Sequence, residues 1–245
     1  MGAMEFRFSF LLSAGTMIIN NTVWLFFWWI YFNRFQIVSG WEMHDVMMMW
    51  AVSAGSFGMM AVFFGNATRL SRLIAGGQLD GYLSQPKPVL LHVLVSRMSV
   101  SAIGDLLFAW MVYAVYGELS LRGLLLYLAA LLTGMGIFLG MAILLGSLAF
   151  YYGNTEGLSG QLFDSLLAFT TYPTDIFRGL GKVMLFTVIP AGFISYMPIK
   201  LLRSLDVGFA LSAGAFSMGL LAFAVWFFYR GLARYTSGNM TGMRM

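Results

Sequence analysis

The sequence contains no cysteine and only two histidines, His44 and His92. The missing thiols exclude disulfides, thiolate nucleophiles and Cys-ligated metals. Charge is also scarce: Asp, Glu, Lys and Arg make up 10% of the chain, against about a quarter in soluble domains. With so few ionisable groups, neither a Ser-His-Asp set nor a paired-carboxylate site can be assembled, and an enzyme reading has little to stand on. A phosphate-binding loop is missing as well. Gly179-Leu180-Gly181-Lys182 lacks the upstream glycine at the required spacing and the Ser or Thr after the lysine. ATP hydrolysis, if the system uses it, is expected on a separate chain.

Apolar residues dominate what is present. They account for 60% of the chain, and the mean hydropathy is +0.81. A hydrocarbon core about 30 Å thick takes roughly 20 apolar residues per helical crossing. Six runs of suitable character occur: Phe8 to Phe32, Val46 to Asn66, Met98 to Tyr116, Gly123 to Gly153, residues 157–174, and Val207 to Tyr229. The expected fold is all-α, a single polytopic transmembrane domain over residues 1–245 with no sizeable soluble part. A seventh apolar run, residues 183–199, is broken by Pro190 and bounded by Pro198. A mid-run proline costs a regular helix about 3 kcal/mol, so this run is expected to form a re-entrant or extracytoplasmic hairpin.

The longest polar interruption is Ala67 to Arg97, which holds Arg69, Arg72, Lys87 and Arg97 with Asp80 as its only acid. Pro86 and Pro88 separate it from the third run. Leu70, Leu73 and Ile74 form an apolar stripe beside Arg69 and Arg72, the pattern of a short interfacial helix. With both termini in the cytoplasm and six spans, Arg7, Arg69, Arg72, Lys87, Arg97, Arg230, Arg234 and Arg244 fall inside. Arg34, Arg122, Arg178, Lys182, Lys200 and Arg203 fall outside, a distribution that the positive-inside rule mildly prefers to seven spans. Because these cations sit at the ends of apolar runs rather than along one face, no nucleic-acid partner is expected.

Polar groups inside the runs are the other signal. Asn20 and Asn21 lie in the first run, and an amide in hydrocarbon needs a partner on another helix. Asp105 and Asp164 are the ionisable groups placed within the membrane. Two uses are open: structural, with Asp105 paired to a Ser or Tyr and Asp164 near a wet helix end, or functional, as a proton carrier. Met47-Met48-Met49 reads as packing rather than a copper site, since consecutive residues point around a helix and do not converge.

Four patches then carry a family resemblance. They are Gly40-Trp41 with Asp45-Val46; Gly77-Gln78-Leu79-Asp80-Gly81-Tyr82-Leu83-Ser84-Gln85-Pro86, similar to G-x-L-D-x-x-L-x-x-P; Tyr172-Pro173-Thr174-Asp175-Ile176-Phe177, similar to Y-P-x-x-I-F; and Phe186-Thr187-Val188-Ile189-Pro190-Ala191 with Tyr196-Met197-Pro198. In this order they resemble the permease subunits of ABC-2-type ATP-binding cassette transporters, particularly bacterial antibiotic or multidrug exporters. The resemblance implies six spans and a place in the bacterial inner membrane. It also implies a second permease subunit, identical or a sister, and two cytoplasmic ATPase subunits that bind MgATP. Arg69, Arg72, Asp80, Tyr82 and Pro86 would then couple to the ATPase, and Tyr172, Pro173, Pro190, Tyr196 and Pro198 would shape the outer hairpin. An amphipathic or lipid-like cargo, drug or peptide among the options, is expected from the aromatic-rich spans. The alternatives are a proton-coupled secondary transporter working through Asp105 or Asp164, and a membrane scaffold.

Overall fold

The computed structural model describes residues 2–35 and 37–236, with side chains from Phe8 onward. Arg244 and the side chain of Arg7, both part of the topology expectation, lie outside the described residues. Helix α1 runs Gly2–Arg34 and α2 runs Met43–Phe63; a 3-10 turn, Ala67–Arg69, leads into α3, Leu70–Ala75. Then follow α4 (Asp80–Leu83), α5 (Val89–Val95), α6 (Ala102–Tyr116), α7 (Leu121–Ser147), α8 (Ala149–Tyr152) and α9 (Glu156–Phe169). After a turn at Thr174–Ile176 come α10 (Leu180–Thr187), α11 (Ala191–Ser195), a π-type turn (Pro198–Arg203) and α12 (Val207–Leu232). No strand is present among the described residues.

Helix boundaries follow local chemistry. The α2 start is a capping box: Glu42 is the N-cap and its backbone N–H donates to Asp45 Oδ2 at 2.9 Å. At the head of α7 the Ser120 hydroxyl accepts from Gly123 N at 3.0 Å, and Asp206 Oδ1 accepts from Phe209 N at 2.9 Å before α12.

Among the described residues, four helices are long and apolar enough to cross a membrane: Phe8–Arg34, Met43–Phe63, Leu121–Tyr152 and Val207–Leu232. The third and fifth expected spans are shorter than the sequence suggests. Helix α6 has 15 residues, which at about 1.5 Å each reach about 22 Å, and α9 has 14. In the third run, Met98 to Ser101 stay out of the helix because Ser99 N–H is committed to Ala61 O at 3.0 Å and the Ser99 and Ser101 hydroxyls meet at 3.2 Å. In the fifth, the hydroxyls of Thr170 and Thr171 bond back to Leu167 O and Ala168 O at 2.6 and 2.7 Å, and Pro173 follows. The run from 183 to 199 is not one straight helix: its halves, Leu180–Thr187 and Ala191–Arg203, bend by 89° at the break holding Pro190.

The core sits around α2, whose apolar stretch is 78% buried inside the fold. It packs on α6 and α7, α7 in turn carries α12, and α1 rests on α6. Met47, Met48 and Met49 are all buried in this core, as packing requires. Tyr127 of α7 is fully buried, donates to Ala109 O at 3.0 Å and stacks on Tyr113 at 4.2 Å between ring centroids. Helices α1 and α12 are peripheral, with 11% and 22% of their apolar stretches buried. Phe8, Leu11, Ile19, Leu211 and Met218 are among their exposed side chains, available to lipid.

So lightly buried a helix as α1 needs specific anchors, and Gly104 of α6 supplies one. A Cβ at Gly104 would come within 2.9 Å of the Ala14 carbonyl carbon, closer still to its oxygen, and 3.0 Å from Met17 Cβ. The two backbones therefore meet with no room for a methyl group, as small residues permit in membrane helix pairs. Gly104→Ala is expected to destabilise the protein by about 1–3 kcal/mol, the usual cost of overpacking. Thermal unfolding in detergent checks it, and an unchanged midpoint would contradict this account of the contact.

Candidate functional site

Three regions gather the residues singled out by the sequence. The first is the loop between α2 and α6. Its base is stitched together by backbone and amide bonds: Gly65 N donates to Arg97 O at 3.0 Å, and Asn66 Nδ2 to Val93 O at 3.0 Å and Ser96 Oγ at 2.8 Å. Leu70, Leu73, Ile74 and Leu79 are buried, so the apolar stripe faces the bundle. Gly77 takes φ +69°, a left-handed turn where a side chain is strained, and this reverses the chain into α4.

Gln78 and Asp80 are exposed, as is the whole stretch from Leu83 to Pro88, including Pro86. Leu83 is 43% exposed at the tip, an apolar side chain without a neighbour to cover it. Tyr82 turns inward instead: its ring meets His92 edge-to-face at 5.1 Å, and its hydroxyl lies 2.9 Å from Ser96 Oγ. Arg72 also looks back to the bundle and forms an ion pair with Glu156 at the head of α9. The Arg72 bond outweighs the opposing effect of burial and, with the Arg72 charge adding to it, holds Glu156 below its usual carboxylate range. Arg69 is half-buried and faces the cleft described below.

Beneath the tip sits Tyr235, just beyond α12, whose hydroxyl would lie 3.8 Å from a Cβ at Gly77. Burial, then the neighbouring Asp80 carboxylate, push that hydroxyl up to about 12. The chain past α12 is thereby placed at the same end as the loop. Neither Glu156 nor Tyr235 was singled out by the sequence, because nothing in spacing links them to residues about 80 and 150 positions away.

The second region lies at the opposite end and joins three of the four family-like patches. Gly40, at φ +84°, turns the chain so that Trp41 is fully buried. Trp41 Nε1 donates to Asp175 Oδ2 at 3.0 Å, Tyr196 Oη to the same oxygen at 2.6 Å, and Lys182 Nζ to Oδ1 at 2.6 Å. Lys182 also lies over the Tyr196 ring, 5.4 Å from its centroid. Arg203, at the end of the π-type turn, reaches Asp45 at 2.9 Å and Glu42 at 3.1 Å. Tyr172 and Pro173 lead into this cluster, with Tyr172 edge-on to Trp28 at 6.1 Å, and Pro190 and Pro198 start the segments that carry Tyr196 and Arg203.

The third region is a cavity of about 510 Å³ between α1, α2, α6 and α9. It brings together all four intramembrane polar residues: Asn20, Asn21, Asp105 and Asp164. Asn21 Nδ2 donates to Asp105 Oδ1 at 2.6 Å, and both side chains are buried. The partner of Asp105 is thus an amide, where Ser or Tyr was the expectation. Trp24, Trp50, Phe57 and Tyr172 supply aromatic wall, and Trp24 stacks on Trp50 with centroids 6.0 Å apart. A second cleft of about 370 Å³ adjoins it, shares Phe57, Ser99 and Ser101, and holds Arg69 and Arg97. No group of three or more His, Asp or Glu residues placed to hold a metal ion occurs among the described residues.

Asp175 offers a test by pH. Burial works against its charge, but the bonds from Lys182, Tyr196 and Trp41, with the Lys182 charge beside it, outweigh that and hold it below the usual carboxylate range. Its stabilisation is therefore complete above the unfolded carboxylate value, about 3.9. It is lost as pH falls through the lower folded value. Between about pH 5 and pH 3 the unfolding midpoint is expected to fall further for the wild type than for Asp175→Asn, which starts lower and has nothing there to titrate. Parallel acid profiles for the two proteins would contradict it.

Comparison with known proteins adds the family. No curated protein and no solved structure matches the chain. A family model described as ABC-2 family transporter protein matches residues 18–239. That match takes in all four patches, every candidate membrane-crossing helix beyond the first turns of α1, the loop and the cavity lining apart from Met17. The chain belongs to the ABC-2 transporter family, as an integral membrane permease.

Proposed function

We propose that this chain is the permease subunit of an ABC exporter in the bacterial inner membrane, driven by MgATP hydrolysed on separate cytoplasmic ATPase subunits. A second permease, identical or a sister, stands beside it, and the cargo is amphipathic or lipid-like. Helices α6 and α9 complete six crossings, with their short lengths made up by the turns at Ser99–Ser101 and Thr170–Pro173. The loop between α2 and α6 and both termini face the cytoplasm. The bent pair α10–α11 then lies at the outer face.

One observation carries this reading: the exposed loop tip stands on a base bonded into the two helices that wall the cavity. Asp80, Leu83, Gln85, Pro86 and Lys87 present polar and charged groups around an apolar anchor, the composition of a docking knob. A push on that knob passes through the Gly65–Arg97, Asn66–Val93 and Ser99–Ala61 bonds to the end of α2 and the start of α6. Ser99 and Ser101 line the cavity at that point, so the ATPase acts on the cavity wall without touching it. Arg72, paired with Glu156, passes the same displacement to α9. Tyr82 braces the knob from within, and Arg69 faces the adjoining cleft.

Truncating two knob residues tests the assignment. In the complex reconstituted with its ATPase, Asp80→Ala with Leu83→Ala is expected to lower transport-coupled ATP hydrolysis by about tenfold or more, since docking anchors carry most of an interface's energy. The permease itself should remain folded and membrane-inserted. Normal hydrolysis and transport by the double variant would sink the docking assignment. Flux by this chain alone, driven by a pH gradient and indifferent to ATP, would favour the proton-coupled alternative through Asp105 or Asp164.

A further inference from the structure

The cavity between α1, α2, α6 and α9 has a charge imbalance that specifies more than an amphipathic cargo. Asp105 and Asp164 line it, and no Lys, Arg or His does among the described residues. Asn21 answers one oxygen of Asp105, but an amide donates a dipole and leaves the negative charge uncompensated. Asp164 is exposed on α9 and has no ion-pair partner among the described residues. Carboxylates at membrane depth are costly without an opposite charge, and their usual answer is a cation or a proton.

A second observation points independently to a ligand. Trp50 is only 7% exposed, lines the same cavity, and its indole N–H has no hydrogen-bond partner among the described residues. A buried donor left unmade costs about 1–3 kcal/mol, and native structures rarely leave one without a use. Trp24 stacks on Trp50, and Phe57 and Tyr172 extend the aromatic wall. Aromatic faces attract cations, most strongly where water is excluded. The volume of about 510 Å³ is of the size that holds a drug-like molecule. Arg69 and Arg97 lie in the adjoining cleft, beyond Ser99 and Ser101, and do not line this one.

We infer that the cavity binds a cationic amphiphile, with its positive head on Asp164 and Asp105, its aromatic or apolar body against Trp24 and Trp50, and an ether or carbonyl oxygen accepting from Trp50 Nε1. The inference rests on the permease reading above, but its test does not involve ATP.

The probe is berberine, a permanently cationic polycycle with ether oxygens, added to the purified full-length chain in phosphatidylcholine nanodiscs. Uncharged dihydroberberine serves as the matched competitor. Saturable binding is expected, read by probe fluorescence and by quenching of tryptophan emission. The cation should bind about tenfold more tightly than its neutral counterpart. Asp164→Asn, a change on an exposed position that leaves Asp105 in place, should lower that ratio about threefold while leaving the unfolding midpoint in place. Trp50→Phe should weaken both ligands alike and leave the ratio unchanged. Equal affinity for the two ligands in the wild type, or an undiminished ratio in Asp164→Asn, would overturn the inference. If it fails while the complex still moves a neutral amphiphile with ATP, only the charge preference falls and the permease reading stands.

Discussion

A buried carboxylate has to be answered from within the protein, and here the answer is the 2.6 Å bond from Asn21 to Asp105. Much of the arrangement depends on it. Helix α1 is almost unburied along its length, and in hydrocarbon no hydrophobic force distinguishes a neighbouring helix from lipid. What holds α1 against α6 is therefore specific: one polar bond, and about two turns of α1 away the backbone approach that Gly104 allows against Ala14. These two contacts use adjacent residues of α6, so the helix presents an anchor that is polar on one side and free of side chain on the other. The same bond places α1 as a wall of the cavity, with Asn20, Asn21 and Trp24 turned towards α2 and α9.

The two ends of the bundle solve different problems. At the end holding Trp41, Asp175, Lys182 and Tyr196, three side chains from separate stretches converge on the Asp175 carboxylate, and Arg203 bridges back to the head of α2. Three charge-assisted or polar donors on a single acceptor make a rigid cluster, because moving any one strand strips bonds from the others. The loop end is built the other way. Its base is bonded tightly, but its tip leaves polar groups and Leu83 uncovered. A rigid far end and a braced but open near end suit the proposed coupling, in which force applied at the tip would tilt helices about the fixed cluster rather than displace the whole subunit.

Much of this was legible in the sequence, for physical reasons that can be named. Long uncharged runs report helices directly, and Pro190 marked the bend in α10–α11 because a ring without an N–H cannot continue the ladder. Asn20, Asn21, Asp105 and Asp164 stood out as polar groups in apolar runs, and the cavity does collect them. The spans α6 and α9 read too long, because hydropathy counts Met98, Val100 and Thr170 without seeing that serine and threonine hydroxyls had already ended the helices. What no local pattern discloses is pairing at a distance. Glu156 under Arg72, Arg203 on Asp45, and Tyr235 beneath Gly77 each join residues that only packing brings together. Tyr82 is instructive in the same way: the family resemblance gives it a coupling role, and no local pattern discloses that its ring meets His92 and its hydroxyl meets Ser96.

The shortness of α6 also has a mechanical sense. If the helix had started at Met98, Ser99 and Ser101 would lie in its first turn and the loop would end outside the membrane. Instead the loop's last residues are themselves part of the cavity wall, four positions before Asp105. A displacement of the loop reaches Asp105 within one helical turn, with no long helix to bend on the way. Asn21 is bonded to that same carboxylate, so α1 must either follow the movement or release the bond. Following keeps the charge answered and costs α1 little, because so little of its surface is packed; releasing leaves a buried carboxylate bare. On the proposed coupling, these energetics favour α1 moving with α6, which would widen or narrow the cavity if the loop were driven.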